Sequence, residues 1–272
     1  MLHMRKVLRG LVYVFAGLVG LVIILTIVAR TFRGAATAPK MIHGRVMATR
    51  NLFTYMYGAQ AGGQTVLFDA GIDEEGRALD VLLGGLHASR DTVADIFLSH
   101  GHFDHVVAAV PSCTRARIHV GQPDVDMMAL RAPTIPTLAR WLSHMLPPPA
   151  IEATHPVRER AEFVLADGSK VTAIPFAGHT PGSYLYVYEG VMFAGDSLQI
   201  YGDHLEFAMS LTSVDMAANH RNAARLAELL GDLKVDVVCT GHQGCTPPPS
   251  PSPSGESPAT AMLKDLIARA KS

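Results

Sequence analysis

Short apolar stretches punctuated by glycine, aspartate and proline recur from residue 41 onward, and their spacing predicts strands interleaved with helices. Residues 51–59 and 65–69 read as two antiparallel strands around the turn Gln60-Ala61-Gly62-Gly63-Gln64. A helical stretch over 73–86 follows, then a short apolar strand at 95–99 that runs into a histidine-rich loop, and a further strand at 116–120. From 123 to 160 the pattern turns helical, with a stop at Pro147-Pro148-Pro149. Its large side chains Met127, Met128, Trp141 and Met145 either pack this insert onto the body, the more ordinary use of such residues, or form an apolar lip over a site, since methionine adapts to varied shapes. Strands resume at 162–165, 171–176, 183–188 and 191–194, and a helix over 213–230 precedes a strand over 235–240. Residues 247–258, PPPSPSPSGESP, form a stiff proline-rich linker before a short amphipathic piece with Met262, Leu263, Leu266 and Ile267. There is no internal repeat. Such an order predicts mixed sheets covered by helices.

One segment departs from this pattern. Residues 10–29, GLVYVFAGLVGLVIILTIVA, carry no charge in twenty positions and are flanked by Arg9 and Arg30. As a helix they would span roughly 30 Å, the thickness of a bilayer's hydrocarbon core, and they exceed the apolar region of a signal peptide. The expectation is a single-pass membrane protein, with residues 1–40 as anchor and linker, 41–245 as the globular domain and 246–272 as linker and tail helix. Basic residues on the two flanks nearly balance, and the domain is placed on the extracytoplasmic side.

Composition narrows the function. With 49% apolar and 17% charged residues the chain is neither disordered nor fibrous. The first 40 residues hold six of the 23 basic residues and no acidic one, so residues 41–272 carry a net charge of −7. An acidic domain suits a small-molecule substrate rather than nucleic acid, whose phosphates call for cations. Cys113, Cys239 and Cys245 are odd in number and show no CxxC spacing. Cys239 and Cys245 could pair after export, but buried free thiols are the expectation.

The chemistry sits in LSHGHFDHV at 98–106, which contains His100, His102, Asp104 and His105. Three imidazoles and a carboxylate at the end of a core strand serve no packing pattern. Neutral imidazole and carboxylate are good zinc ligands, and loop spacing lets alternate side chains converge on two ions. Three later segments each end a short apolar strand: PFAGHTPGS with His179, MFAGDS with Asp196 and VVCTGHQ with His242. Sites gather at the carboxyl ends of strands.

In this HxHxDH…H…D…H order the chain resembles a metallo-β-lactamase superfamily hydrolase over about residues 45–243. The resemblance implies an αββα four-layer sandwich of the α/β class with a binuclear site at one edge between the sheets. It implies that His100, His102 and His179 hold a first metal, that Asp104, His105 and His242 hold a second, and that Asp196 bridges them. Two divalent ions, zinc by donor type, would then give a hydroxide nucleophile, with Asp104 as the catalytic residue that orients it and shuttles its proton. Asp69, after the strand at 66–68, fits the family's supporting aspartate, and Gly178, Pro181 and Gly182 shape the turn presenting His179. The carboxylate at 196, where some lactamases want cysteine or serine, points to hydrolysis of an ester, lactone or thioester. Gln199 stands where lactone-cleaving relatives carry tyrosine, with Tyr201 nearby. The alternatives are a β-lactamase or phosphodiesterase of the same fold, an iron-dependent sulfur dioxygenase using His100, His179 and Asp196, and a non-catalytic binding module.

Overall fold

Between residues 40 and 157 each strand pairs with its sequence neighbour, through short turns as far as residue 68 and through longer connections beyond it. In the computed structural model β1 (Lys40–His43), β2 (Val46–Asn51), β3 (Thr54–Ala61), β4 (Gln64–Phe68), β5 (Val93–Phe97), β6 (Arg117–Gly121) and β7 (His155–Val157) form one sheet in that order. The structure describes residues 34–109, 113, 115–145, 147–249 and 257–272, with isolated residues between 13 and 32. The β3–β4 hairpin turns on Gly62-Gly63, whose φ values of 61° and 79° are open to glycine at little cost and match the twist of the strands. From β4 to β7 the pairing is parallel. Parallel pairing demands crossovers, and the helix Arg77–Gly85 supplies the first.

The second sheet contains β8 (Ala161–Val164), β9 (Lys170–Pro175), β10 (Tyr184–Tyr188), β11 (Val191–Phe193), β14 (Val237–Thr240) and β15 (Gly244–Cys245), in the order β15-β14-β11-β10-β9-β8. Leu198–Tyr201 (β12) and His204–Phe207 (β13) make a separate hairpin that the hydrophobic pattern did not predict. All five residues of β10 are buried, since both faces of this sheet are covered. Tyr184, Tyr186 and Tyr188 point into the layer between the sheets, while Leu185 and Val187 point at helices.

That inter-sheet layer is aromatic. Phe68 of the first sheet stacks on Phe193 of the second with ring centroids 3.8 Å apart, and Phe97 and Tyr186 close around them. Truncating such a ring to alanine costs about 3–5 kcal/mol. Outside the first sheet lies the helix Arg77–Gly85; outside the second lie the helices Met216–Ala224, Leu226–Leu230 and Pro258–Lys271. The layers are therefore helix, sheet, sheet, helix, as expected.

Several sequence expectations change. The stretch 123–160 holds only the short helices Val125–Met128 and Thr137–Met145, then β7. Met127 and Met128 are buried core residues, so they form no lip; Trp141 is exposed. The side chain of Met145 lies outside the described residues. The tail helix Pro258–Lys271 docks, with Ala259, Met262, Leu263 and Leu266 buried on the second sheet. Its cap is Ser257, whose hydroxyl accepts from the Thr260 amide at 3.1 Å. Cys239 and Cys245 are disulfide-bonded rather than free, because β14 and β15 pair them directly; Cys113 is free and buried. Most of the apolar run 10–29 lies outside the described residues, and among the described residues no helix is long and apolar enough to cross a membrane.

Candidate metal centre

Every histidine and aspartate of interest follows the carboxyl end of a strand at one edge of the sandwich. Asp69 follows β4, residues 100–105 follow β5, His179 follows β9, Asp196 follows β11 and His242 follows β14. Two tyrosine hydroxyls fasten this edge across the sheets: Tyr186 donates to the Leu98 carbonyl at 3.1 Å and Tyr57 to that of Thr240 at 2.7 Å. All seven expected residues come together. His100, His102 and His179 form one group, Asp104, His105 and His242 a second, and Asp196 joins His100 and His105, with donor atoms in each group within 4.8 Å of one another.

The surrounding hydrogen bonds decide which nitrogens are bare. The Ile135 carbonyl can only accept, so His102 Nε2 carries the hydrogen across their 2.7 Å contact and Nδ1 is a lone pair. Ser99 Oγ donates to Asp69 Oδ2 at 2.9 Å and so accepts from His100 Nδ1 at 3.0 Å, leaving His100 Nε2 bare. Ser213 Oγ donates to the Met209 carbonyl at 2.7 Å and accepts from His179 Nδ1 at 3.1 Å, leaving His179 Nε2 bare. His102 Nδ1 lies 3.0 Å from both of these bare nitrogens. Three lone pairs converge with no proton to share. They repel one another unless a cation lies between them.

The second group repeats the logic. His105 Nδ1 donates to Asp69 Oδ2 at 2.9 Å, and its buried Nε2 has no hydrogen-bond partner, nor has the buried Oδ1 of Asp196 3.3 Å away. His242 Nδ1 donates to the Phe53 carbonyl at 3.0 Å, which turns Nε2 toward Asp196 Oδ2 at 3.0 Å and Asp104 Oδ2 at 3.5 Å. Each imidazole is thus oriented through its other nitrogen, as metal-binding histidines are.

Electrostatics separate the two halves. Burial, reinforced by the neighbouring imidazoles, holds His100 well below the ordinary histidine value and His179 down at about 3. For His242 burial opposes protonation, but Asp196 outweighs it and the pKa rises to about 9. His105 is raised in the same way by Asp196, Asp104 and Asp69 against its burial. Asp196 is held well below the carboxylate range by His105 and His242, although burial opposes this. One half is neutral donors and the other is charge-rich. Both suit divalent cations, and the orphaned atoms confirm the fit.

Sequence reasoning missed the groups that hold the ligand loops. Asp124, buried just after β6, accepts from the Gly182 amide through Oδ1 at 2.8 Å, and from the Gly101 amide at 2.9 Å and the Thr180 hydroxyl at 2.6 Å through Oδ2. One carboxylate therefore clamps the loop of His100 and His102 to the loop of His179. Gly182 must be glycine, because a Cβ there would stand 2.5 Å from Asp124 Cγ. Ser99, Asp124 and Ser213 carry no motif; only their tertiary partners reveal them. Asp69 behaves as expected, accepting from the Ser99 amide at 2.7 Å as well as from His105.

A cleft of about 230 Å³ opens over the group, lined by Phe53, Phe103, Ala139 and Met209 with Gln199, Thr212 and Gln243 beside His102, Asp104, Asp196 and His242. Tyr201 Oη donates to Gln199 Oε1 at 2.7 Å, so the Gln199 amide nitrogen is the end available to the cleft. Among the described lining residues there is no lysine or arginine.

Comparison with known proteins agrees with this geometry. A family model described as the metallo-beta-lactamase superfamily matches residues 50–242. The chain belongs to the metallo-beta-lactamase superfamily. Curated superfamily relatives include a hydroxyacylglutathione hydrolase of Fuscovulum blasticum, 28% identical over 72% of this chain and 64% of that protein. Another, from Halorhodospira halophila, is 26% identical over 58% of this chain and 50% of that protein. The chain thus spans about half to two thirds of the length of these relatives. Among solved structures, a metallo-beta-lactamase of Cronobacter sakazakii superposes with a TM-score of 0.64 at 18% identity over 89% of this chain and 95% of that one. The Rm3 metallo-beta-lactamase gives 0.62 at 20% identity over 89% and 94%. At such identity the solved structures support the fold.

Proposed function

We propose that the protein is a metal-dependent hydrolase of an ester-like carboxyl derivative: an ester, a lactone or a thioester. The observation that carries this reading is the convergence of bare imidazole nitrogens beside the orphaned Asp196 Oδ1. His100, His102 and His179 would hold one divalent ion, Asp104, His105 and His242 another, and Asp196 would reach both; the nitrogen-rich donor set favours zinc. Divalent cations bound there would acidify water and polarise a carbonyl. Asp104 Oδ2, beside His105 and His242 at the cleft, takes and passes on the proton of the attacking water. The Gln199 amide donates to the oxygen that gains charge, and Phe53, Phe103 and Met209 exclude bulk water.

The lining supports a carboxyl derivative over a phosphodiester, which would call for cationic side chains beyond the ions. The curated relatives named for a glutathione thioester favour including thioesters. Glutathione itself carries carboxylates, and the described lining residues include no lysine or arginine to receive them, so an uncharged acyl group is the better fit. The test is a panel of aryl ester, acyl lactone, acyl thioester, cephalosporin and phosphodiester offered to zinc-loaded protein with metal content measured. Hydrolysis of an ester, lactone or thioester at close to two ions per chain, lost on chelation, is expected. Turnover of the phosphodiester alone would overturn the carboxyl reading.

The proposal extends to location. Residues 10–29 anchor the chain in a membrane, supported by their uncharged length, and the domain faces an oxidising compartment, supported by the Cys239 and Cys245 disulfide. A periplasm-only reporter fused after Ser272 tests the orientation: an active reporter is expected, and a silent one would reverse it.

A further inference from the structure

Exposed apolar side chains stand on the elements that border the cleft. Phe53 and Leu138 are each 39% exposed, Met209 44%, Trp141 59% and Leu211 71%. Single exposed apolar residues are ordinary on any surface, but a set around one opening marks a contact face. These come from three elements that border the same cleft: the β2–β3 turn, the helix Thr137–Met145 and the turn Ser210–Thr212. Phe53, Ala139, Met209 and Thr212 line its wall, and the helix and the turn touch. Leu138 and Trp141, three apart, share one side of their helix.

A separate observation says what lies against this rim. The segment that arrives from the apolar run is tied to the same turn. The Ala35 carbonyl accepts from the Leu52 amide at 3.0 Å and from the Asn51 side chain at 3.1 Å, and the Thr37 amide donates to the Arg50 carbonyl at 2.9 Å. Phe53 is the next residue after Leu52, and its carbonyl holds His242. Ala35 lies six residues after Ala29, where the uncharged run ends. Six residues reach at most about 20 Å. A membrane that holds residues 10–29 therefore lies within that distance of Ala35, which is bonded to the turn that carries Phe53.

We propose that the rim formed by Phe53, Leu138, Trp141, Met209 and Leu211 rests in the surface of that membrane. The cleft then opens onto lipid, and its substrate is an amphiphile whose carboxyl derivative is carried on an acyl chain. Tryptophan is favoured at such interfaces, where an apolar ring with one polar edge is half immersed. The apolar lining residues Phe53, Phe103, Ala139 and Met209 suit the acyl portion. This inference rests on the anchored reading given above.

Trp141 is the single tryptophan of the chain and reports on the rim directly. The full chain is reconstituted in phosphatidylcholine vesicles, with insertion checked by resistance to alkaline carbonate. The Trp141 emission should shift to shorter wavelength and be quenched by lipid brominated near its headgroup. Leu211→Glu, at an exposed position, should fold normally, remain inserted and lose most of that quenching. Release by carbonate would overturn the anchored reading and this inference with it. Inserted protein whose Trp141 emission stays at the wavelength of water-exposed tryptophan, without quenching, would overturn this inference alone. A blue-shifted emission that brominated lipid does not quench would place a second copy of the chain on the rim and overturn it equally.

Discussion

Asp124→Ala tests whether one buried carboxylate holds the two histidine loops in register. Its oxygens accept from the amides of Gly101 and Gly182 and from the Thr180 hydroxyl, all at 2.6–2.9 Å. Hydrogen bonds to a charged acceptor contribute about 1.5–3 kcal/mol each, and the substitution also orphans two buried N–H groups. Against this stands the cost of burying the carboxylate, which is itself visible as a pKa raised by burial despite the three donors. A net loss of about 3–5 kcal/mol remains, or roughly 10 °C in Tm for a domain of this size. Asp124→Asn keeps Oδ1 for Gly182, and the Thr180 hydroxyl can turn to accept from the new amide. Only the Gly101 amide loses its partner, for about 1–2 kcal/mol. Thermal unfolding gives the stability order wild type, Asn, Ala, and titration with zinc should weaken in the same order because His100, His102 and His179 lose their common support. An alanine variant with a Tm within about 2 °C of wild type and undiminished zinc affinity would refute the clamp.

Asp104→Asn keeps the side-chain shape but loses the charge, so kcat should fall by about 10²-fold or more with near-normal thermal unfolding; retained turnover in a stopped assay would remove Asp104 from the chemistry. Gly241→Ala places a Cβ against Asp196 Oδ1 and 2.5 Å from His105 Cε1, and metal analysis should find it unable to fill the site while circular dichroism shows the sheets intact. Acid should destabilise the fold in two steps. His119 is held below 6.5 by burial, and Asp73 and Asp95 are held below 3.8 by Arg77 and by His119 with Arg117, in each case against their burial. The unfolded chain then binds the extra protons, so stability falls as pH drops below about 6.5 and again below about 4. Urea midpoints measured from pH 7 to 3 that stayed level would contradict this.

The seven site residues were legible in the sequence. Four stand within six residues, a dense local motif, whereas each of the others ends an apolar strand, a weak signal alone, and was placed by the resemblance to the metallo-β-lactamase order. Asp124, Ser99 and Ser213 were not legible, since a serine or aspartate after a strand has many ordinary uses and its partners lie far off in sequence. Asp124 reaches Gly182 across 58 positions. Met127 and Met128 left two readings open, packing or lip, because apolar character says that a side chain avoids water without saying what covers it. The core took them, while Trp141 and Leu211 were left outside. The tail had the same ambiguity. Its apolar face left docking on the domain, on a membrane surface or on nothing all open, and the outer face of the second sheet provided the partner. The disulfide depended on the short antiparallel pairing of β14 with β15, a two-residue strand below any periodicity signal.

The site also couples chemistry to the stability of the whole sandwich. Its donors come from both sheets, and the bonds that fix them, from Asp69, Ser99, Asp124 and Ser213, are made between separate loops. Without a cation, the bare nitrogens of His100, His102 and His179 face one another in a buried pocket and oppose the packing that brings them together. The packing of the core, including the aromatic layer around Phe68 and Phe193, opposes that repulsion. A bound ion removes the repulsion and adds its own linkage, about 2.7 kcal/mol at a hundredfold excess over Kd. The rigidity that catalysis needs and the repulsion that metal-free protein tolerates are therefore the same feature: a preorganised donor set, kept open by the fold and relieved by the ligand.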